Sequence, residues 1–212
     1  MTGDSPCERC GADATHPTVS VDPDQLRPFF RTSDDAAETE KLKAHLTRVQ
    51  RERKPCVFLG VDDLLRIARW KLGMQYGRVE RHLSLLTDEL VQCVTGAALP
   101  LFDQSLSDEI VTRVRLGLLM SMPGVGMGVA SAILALTLPD EYCVIDFRGW
   151  WALFSEERTH FTEAQYLRYR AGVGCLARRL SWSVQDADHA LWELYDVLPS
   201  VRDASEPEES IF

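Results

Sequence analysis

A glycine-rich turn and an aspartate further along the chain have the residue types and positions to do chemistry. The turn, residues 123–126, reads Pro-Gly-Val-Gly, and glycine lets another molecule approach the backbone closely. If a helix begins directly after it, the unpaired N–H groups of the first helical turn form a site for phosphate. Asp146 follows an apolar run, residues 143–145. Its carboxylate could stabilise positive charge on a substrate or take a proton from water.

Two predicted helices position the turn. Residues 108–121 place Ile110, Val114 and Leu118 on one stripe at helical spacing. Residues 127–138 are apolar on nearly every face, which is typical of a buried helix. The sequence therefore predicts a tight hairpin between two helices.

Asp146 is predicted to open a third helix over residues 147–154. An aspartate in that place also suits a purely structural role, because its side chain can accept a hydrogen bond from the first helical turn. The structural and the chemical role can coexist, and the N–H groups of Arg148 or Gly149 could hold the carboxylate ionised.

The motif Pro-Gly-Val-Gly-x-x-x-Ala with a later Val-Ile-Asp resembles the helix-hairpin-helix DNA glycosylases, the HhH-GPD superfamily that includes the 8-oxoguanine glycosylase. The resemblance is strong over residues 110–154, weaker over residues 61–106 and the C-terminal helices, and absent from the first forty residues. It implies that Asp146 is the catalytic carboxylate. It also implies that the hairpin grips a DNA phosphate, often through a monovalent cation, with contacts from Gly124, Val125, Gly126 and Gly128.

The resemblance also bears on the attacking group. Bifunctional members of the family carry a lysine nucleophile two residues after the second hairpin glycine, and Gly128 stands there in this chain. No lysine follows Lys71. We therefore expect a monofunctional enzyme in which water attacks the sugar and Asp146 positions or deprotonates it. Cys175 is the one cysteine after Asp146, so the four-cysteine iron–sulfur loop of some family members is absent.

A target base must leave the DNA stack to reach such a site, and its pocket needs aromatic walls and a few polar groups. Each of the candidate side chains is also typical of ordinary core or surface packing. The candidates for the pocket are Trp70, Lys71, Arg148, Trp150, Trp151 and Trp192.

The composition indicates a globular protein with uneven charge. The chain has 212 residues and a net charge of −9, but residues 41–82 hold eleven Lys or Arg against four acids. This segment could form a basic face for double-stranded DNA, or simply a solvated helical surface. No apolar run is long enough to span a membrane and no secretory signal is present, so we expect a cytoplasmic protein. Six cysteines spread through helical sequence fit a reducing compartment.

No segment alternates with period two, so the sequence predicts an all-α fold of two lobes with a cleft between them. We expect a flexible arm over residues 1–30, one helical domain over residues 31–200 and an acidic tail over residues 201–212. In the arm, Cys7 and Cys10 form half of a zinc knuckle, although two free thiols are the favoured interpretation. No other metal or cofactor is expected, and the family is usually monomeric.

Local signals place the remaining helices. Asp62 and Thr87 are predicted caps, and Thr162 begins a capping box. Gly172 with Gly174 is expected to interrupt the helix that follows and to mark close packing or a kink. Further helices are predicted over residues 35–53, 78–86 and 186–198.

The favoured hypothesis is a monofunctional DNA glycosylase that leaves an abasic site, in repair or in defence against phage DNA with modified bases. The alternatives are a helix-hairpin-helix DNA-binding protein without catalysis and a helical interaction protein with no role on DNA.

Overall fold

A computed structural model describes residues 21–30, 34–54, 57–100 and 105–197, with side chains of the first α-helix described from residue 37. Within these ranges the chain is helical and has no strand, which confirms the all-α prediction. The α-helices are α1 (Asp34–Glu52), α2 (Val61–Leu72), α3 (Glu80–Leu83), α4 (Asp88–Ala98), α5 (Asp108–Met120), α6 (Met127–Thr137), α7 (Phe147–Phe154), α8 (Glu163–Leu180) and α9 (Val184–Val197). Two 3₁₀ helices lie at Pro23–Phe29 and Gly73–Arg78.

The described helices fall into two groups by their contacts. In the first, α6 packs on α1, α2 and α5, and α4 packs on α2 and α5. In the second, α9 packs on α7, α8 and the first 3₁₀ helix. One continuous apolar core runs through both groups. Among the helices that the model describes, none is both long enough and apolar enough to cross a bilayer.

Helix α6 is buried on every side, as its sequence predicts, with residues 129–136 all inaccessible. The stripe predicted for α5 is wrong in its orientation, because Ile110 is 48% exposed and Val114 40% exposed. The buried face of α5 instead carries the fully buried Leu116 and Leu119, together with Thr112 and Arg115, which both hydrogen-bond the hydroxyl of buried Tyr142. Apolar burial and the satisfied polar groups therefore favour the same rotation of the helix.

Short-range capping signals are mostly confirmed. Thr87 caps α4, and Thr162 with Gln165 forms the capping box of α8. Asp62 does not cap α2, because Gly60 is the N-cap and Asp63 accepts the Gly60 N–H at 3.0 Å. An aspartate three residues into a helix reaches back to the cap in this way.

Two other local predictions fail. Helix α8 continues through Gly172 and Gly174, which are buried, so these glycines permit close packing and do not interrupt the helix. Residues 78–86 do not form one helix but the end of a 3₁₀ helix followed by the single-turn α3.

The predicted flexible arm is wrong for residues 21–30. Asp22 and Gln25 form a capping box on the first 3₁₀ helix, and Leu26 is fully buried. That helix packs on α8 and α9, so burial of Leu26 fixes the segment to the second group. Residues 1–20, with Cys7 and Cys10, lie outside the described residues, as does the acidic tail at 201–212.

Candidate functional site

Asp146 is the N-cap of α7, as predicted from the sequence. Its Oδ1 accepts the Gly149 N–H at 3.0 Å. Its Oδ2 accepts a hydrogen bond from Nζ of Lys71, also at 3.0 Å, and the Asp146 side chain is 20% exposed. The backbone therefore fixes one oxygen, while the other meets an ammonium group from α2.

Asp146 faces a cavity of about 200 Å³ between the two groups of helices. Its lining residues come from α1, α2, α9 and the loop before α7. Drug-sized sites are roughly 300–1,000 Å³, so this smaller volume suits a single ring system. The lining residues are Glu38, Thr39, Trp70, Lys71, Val144, Asp146, Gln185, Asp188, His189 and Trp192.

Two predicted tryptophans line the cavity. Trp70 donates its Nε1–H to Thr39 Oγ1 at 3.2 Å, which fixes the indole on the α1–α2 side. Trp192 projects from α9, and the guanidinium of Arg148 lies 4.3 Å from its ring centroid. Arg148 is also paired with Asp196 at 2.9 Å, so it supports the wall from outside and does not line the cavity.

The remaining two predicted pocket residues lie elsewhere. Trp150 is fully buried and packs against Phe154 and Phe161 in the core of the second group. Trp151 packs edge-on against Tyr195 with ring centroids 5.5 Å apart. Of the six predicted pocket side chains, the structure brings Trp70, Lys71 and Trp192 to the cavity.

The sequence analysis missed three polar side chains on α9. Gln185, Asp188 and His189 line the cavity together with Trp192. Gln185 is 4% exposed, and its Oε1 has no hydrogen-bond partner among the described residues. A buried acceptor without a partner is costly. The spacing of three and four residues, which places polar groups on one helical face, was the available signal.

Asp188 anchors the loop that leads to Asp146. It accepts the Val144 N–H at 2.7 Å and a hydrogen bond from the Tyr169 hydroxyl. Burial, with a smaller contribution from the negative charge of Asp146, raises the pKa of Asp188 from its ordinary 3.8 to about 7, although the hydrogen bonds from Tyr169 and Val144 and the charge of Lys71 lower it. The carboxyl is therefore close to half-protonated at neutral pH.

This raised pKa predicts a pH-dependent stability. The folded protein binds the Asp188 proton more tightly than the unfolded chain, so the free energy of unfolding should fall as the pH rises from about 4 to about 7. We expect a loss of a few kcal/mol, because each pKa unit corresponds to about 1.4 kcal/mol. Urea unfolding at a series of pH values measures it. Asp188→Asn should remove this slope, and an unchanged slope would contradict the assignment.

The turn between α5 and α6 is accessible, as a DNA-binding role requires. Gly124 has φ of +81°, a conformation that favours glycine, and Gly126 is the exposed N-cap of α6. The side chain of Val125 points inward and is 5% exposed. The turn packs on α3, because a Cβ on Gly124 would lie 3.0 Å from Leu83 and 3.1 Å from His82.

The turn meets the predicted basic segment at α3. His82 is exposed, and its Cβ lies 3.1 Å from the position that a Cβ on Gly124 would take. Arg78 and Arg81 in the same segment, and Arg66 and Arg69 on α2, are exposed as well.

Ser131 connects the hairpin helix to the Asp146 segment. Its Oγ accepts the Ile145 N–H at 3.2 Å and donates to the Gly128 carbonyl at 3.0 Å. The first turn of α6 is therefore fixed against the residue that precedes Asp146. Gly128 is half-buried at this junction, and a Cβ there would lie 3.5 Å from Cε of Lys71.

Comparisons of this chain with protein-family models, curated proteins and solved structures found no match. The likeness to the helix-hairpin-helix glycosylases therefore depends on the sequence motif.

Proposed function

We propose that this protein is a DNA N-glycosylase that removes a flipped, damaged or modified base from double-stranded DNA and leaves an abasic site. The observation that carries the proposal is the Asp146 carboxylate, fixed by a helix cap at the edge of a base-sized cavity with indole walls. The biological setting, repair or defence against modified phage DNA, depends on which base is released. We expect a cytoplasmic monomer.

The chemistry of base release suits a carboxylate in this position. Breaking an N-glycosidic bond builds positive charge on the deoxyribose ring, as in sugar hydrolysis. A unit charge pair at about 4 Å in an effective dielectric near 20 contributes roughly 4 kcal/mol. That corresponds to roughly a thousandfold in rate. The Gly149 N–H already holds one oxygen of the Asp146 carboxylate in the folded protein, so the carboxylate does not have to be reoriented when the sugar becomes charged.

The cavity walls suit an extruded base. Trp70 and Trp192 offer aromatic surfaces, and stacking on such rings tolerates many base types. Gln185 lines the same cavity, and its side-chain amide carries both a donor and an acceptor for the edge of a base.

DNA would be held at the hairpin. The N–H groups at the start of α6, beyond Gly126 and including that of Gly128, can bind a backbone phosphate. Arg81 on α3, which contacts the turn through His82 and Leu83, and Arg78 just before α3 are exposed and would add positive charge for the DNA backbone. These contacts would place the neighbouring nucleotide at Asp146, because Ser131 ties the two segments together.

One observation favours the alternative of an inactive DNA-binding protein. The Lys71 ammonium lies 3.0 Å from Asp146 and neutralises the charge that would stabilise the sugar cation. If that pair stays closed with DNA bound, the hairpin and basic surface would bind DNA without base release.

The test is a panel of duplex oligonucleotides, each with one damaged or modified base, and phage DNA with hypermodified bases. Abasic sites are detected as strand breaks after hot alkali. We expect breaks at one base or one class of bases. Salt-sensitive DNA binding with no breaks on any substrate would favour the inactive binding protein, and weak, salt-insensitive binding would favour no role on DNA.

A further inference from the structure

We propose that Asp188 is a positioning residue, whose ionised carboxylate holds the backbone on both sides of Asp146 and keeps that group directed at the sugar. This inference rests on the proposed function. Asp188 lines the cavity on α9, but both of its oxygens accept hydrogen bonds inside the protein, from the Val144 N–H and the Tyr169 hydroxyl. Asp188 therefore acts through these two residues and not through contact with the substrate.

The backbone directly before Asp146 is held by side chains from two other helices. The Val144 N–H donates to Oδ2 of Asp188 on α9 at 2.7 Å. The next N–H, that of Ile145, donates to Oγ of Ser131 on α6 at 3.2 Å. The serine hydroxyl does not titrate, whereas a hydrogen bond to a carboxyl group is stronger when that group is ionised. The contact with Asp188 is therefore the part of this support that depends on protonation.

Asp188 also reaches the backbone directly after Asp146, through Tyr169. The Tyr169 hydroxyl donates to Oδ1 of Asp188. It lies against Gly149, because a Cβ built on that glycine would overlap the hydroxyl and lie 3.0 Å from Cζ of the ring. Gly149 in turn donates its N–H to Oδ1 of Asp146 at 3.0 Å. One buried carboxylate thus supports both the segment before Asp146 and the first turn of α7.

Loss of the negative charge on Asp188 would break this arrangement. An ionised carboxylate has acceptors only, so it takes the Val144 N–H and the Tyr169 hydroxyl at the same time. A protonated carboxyl carries a hydrogen on the oxygen that faces one of these donors, and that donor then has no acceptor. Because Tyr169 is fully buried and Asp188 is 7% exposed, water does not replace the lost hydrogen bond. We expect the segment to shift and the Asp146 carboxylate to move with it.

The pKa of Asp188, which burial raises to about 7, places this change in the neutral range. The charged and titratable groups that face Asp188 are Lys71, Cys143, Asp146, Tyr166 and Tyr169. Burial raises the pKa of the cysteine and of both tyrosines well above their ordinary values, so these three stay protonated at neutral pH. Glu38 and His189 line the same cavity. Histidine ordinarily titrates near neutrality, so His189 requires a control.

The experiment follows single-turnover base release by the full chain, at saturating protein, between about pH 6 and about pH 8. The substrate is the duplex from which the wild type releases a base. The wild-type rate should fall towards acid pH as Asp188 becomes protonated. Asp188→Asn accepts one of the two hydrogen bonds and imitates the protonated state, so it should be about tenfold to a hundredfold slower at alkaline pH and should lack this fall. Its dissociation constant for DNA should equal that of the wild type, because the hairpin is unchanged.

Two further variants separate this role from ordinary packing. Tyr169→Phe removes a hydrogen bond that lowers the pKa of Asp188, so the fall in rate should move to higher pH. This variant also tests the proposal if Asp188→Asn does not fold. His189→Gln should keep the wild-type fall, whatever its absolute rate, and urea unfolding gives the folded fraction of each variant. A wild-type profile in Asp188→Asn or Tyr169→Phe, or a flat profile in His189→Gln, overturns the proposal.

A duplex in which a pyrrolidine ring replaces one deoxyribose separates this inference from the proposed function. The protonated ring nitrogen imitates the charge of the sugar cation, so tight binding requires a well-placed Asp146 but no base release. The wild type should prefer this duplex to an unmodified one, and the preference should be smaller at acid pH and in Asp188→Asn. That pattern without release of any base would support the role of Asp188 and count against the glycosylase. Base release with an unchanged profile in Asp188→Asn would do the reverse, and a wild type that shows neither release nor preference overturns both.

Discussion

Asp146→Asn should lower the rate of base release about a thousandfold while the protein remains folded. Asparagine keeps the cap, because its side-chain oxygen can still accept the Gly149 N–H that Asp146 accepts at 3.0 Å. It removes the negative charge that faces the sugar. The ion pair with Lys71 is largely buried, so its loss should lower the free energy of unfolding by roughly 1.5–3 kcal/mol. Single-turnover kinetics and urea unfolding measure the two quantities.

A matched control is Glu156→Gln, which also exchanges a carboxylate for an amide. Glu156 pairs with Arg168 at 3.2 Å, away from the cavity. This variant should release base at the wild-type rate. If Asp146→Asn also does so, Asp146 is a helix cap without a catalytic role.

Gly149→Ala should be among the most destabilising single-methyl additions in the chain, with a loss of about 3 kcal/mol in the free energy of unfolding. A Cβ at Gly149 would press against the Tyr169 hydroxyl and lie 3.0 Å from Cζ of that ring. Tyr169 is fully buried and hydrogen-bonded to Asp188, so it cannot move aside. Since Gly149 also donates to Asp146, the folded fraction should release base more slowly than the wild type. Chemical denaturation and single-turnover kinetics measure these effects.

Gly117→Ala is the control for that change. Gly117 is an exposed residue within α5, and a Cβ there has no neighbour within 4 Å. Alanine should stabilise this helix by about 0.5–1 kcal/mol. Equal effects of the two substitutions would show that the contact with Tyr169 does not constrain Gly149.

The sequence predicted those parts of the site that depend on short-range hydrogen bonds. Asp146 as the cap of α7 and Thr162 as the cap of α8 involve partners three residues away, so the local residue types were sufficient. Burial of α6 was also predictable, because its apolar residues leave no polar face.

Contacts between distant segments were not predictable in this way. Lys71 and Asp146 are 75 residues apart in sequence, and no local pattern indicates that their side chains meet. The same limit explains the two adjacent tryptophans of α7, which were candidates for the pocket. Trp150 faces the core and Trp151 packs on Tyr195. The packing of α7 against the neighbouring helices determines which tryptophan points in which direction.

The exposure of Ile110 and Val114 to solvent also results from contacts between distant segments. A periodic apolar stripe predicts the buried face of a helix when nothing else competes for it. On α5, Thr112 and Arg115, which hydrogen-bond Tyr142, and the fully buried Leu116 and Leu119 form the buried face. With 3.6 residues per turn, this face lies roughly opposite Ile110 and Val114.

The most direct test of the central claim is detection of the released base itself. Wild-type protein is incubated with the DNA that it binds most tightly, small molecules are separated, and the free base is identified by mass spectrometry against an Asp146→Asn blank. We predict an intact free base from the wild type in an amount equal to the abasic or cleaved strands. If DNA that is saturated with the wild-type protein releases no free base, the result would contradict the account.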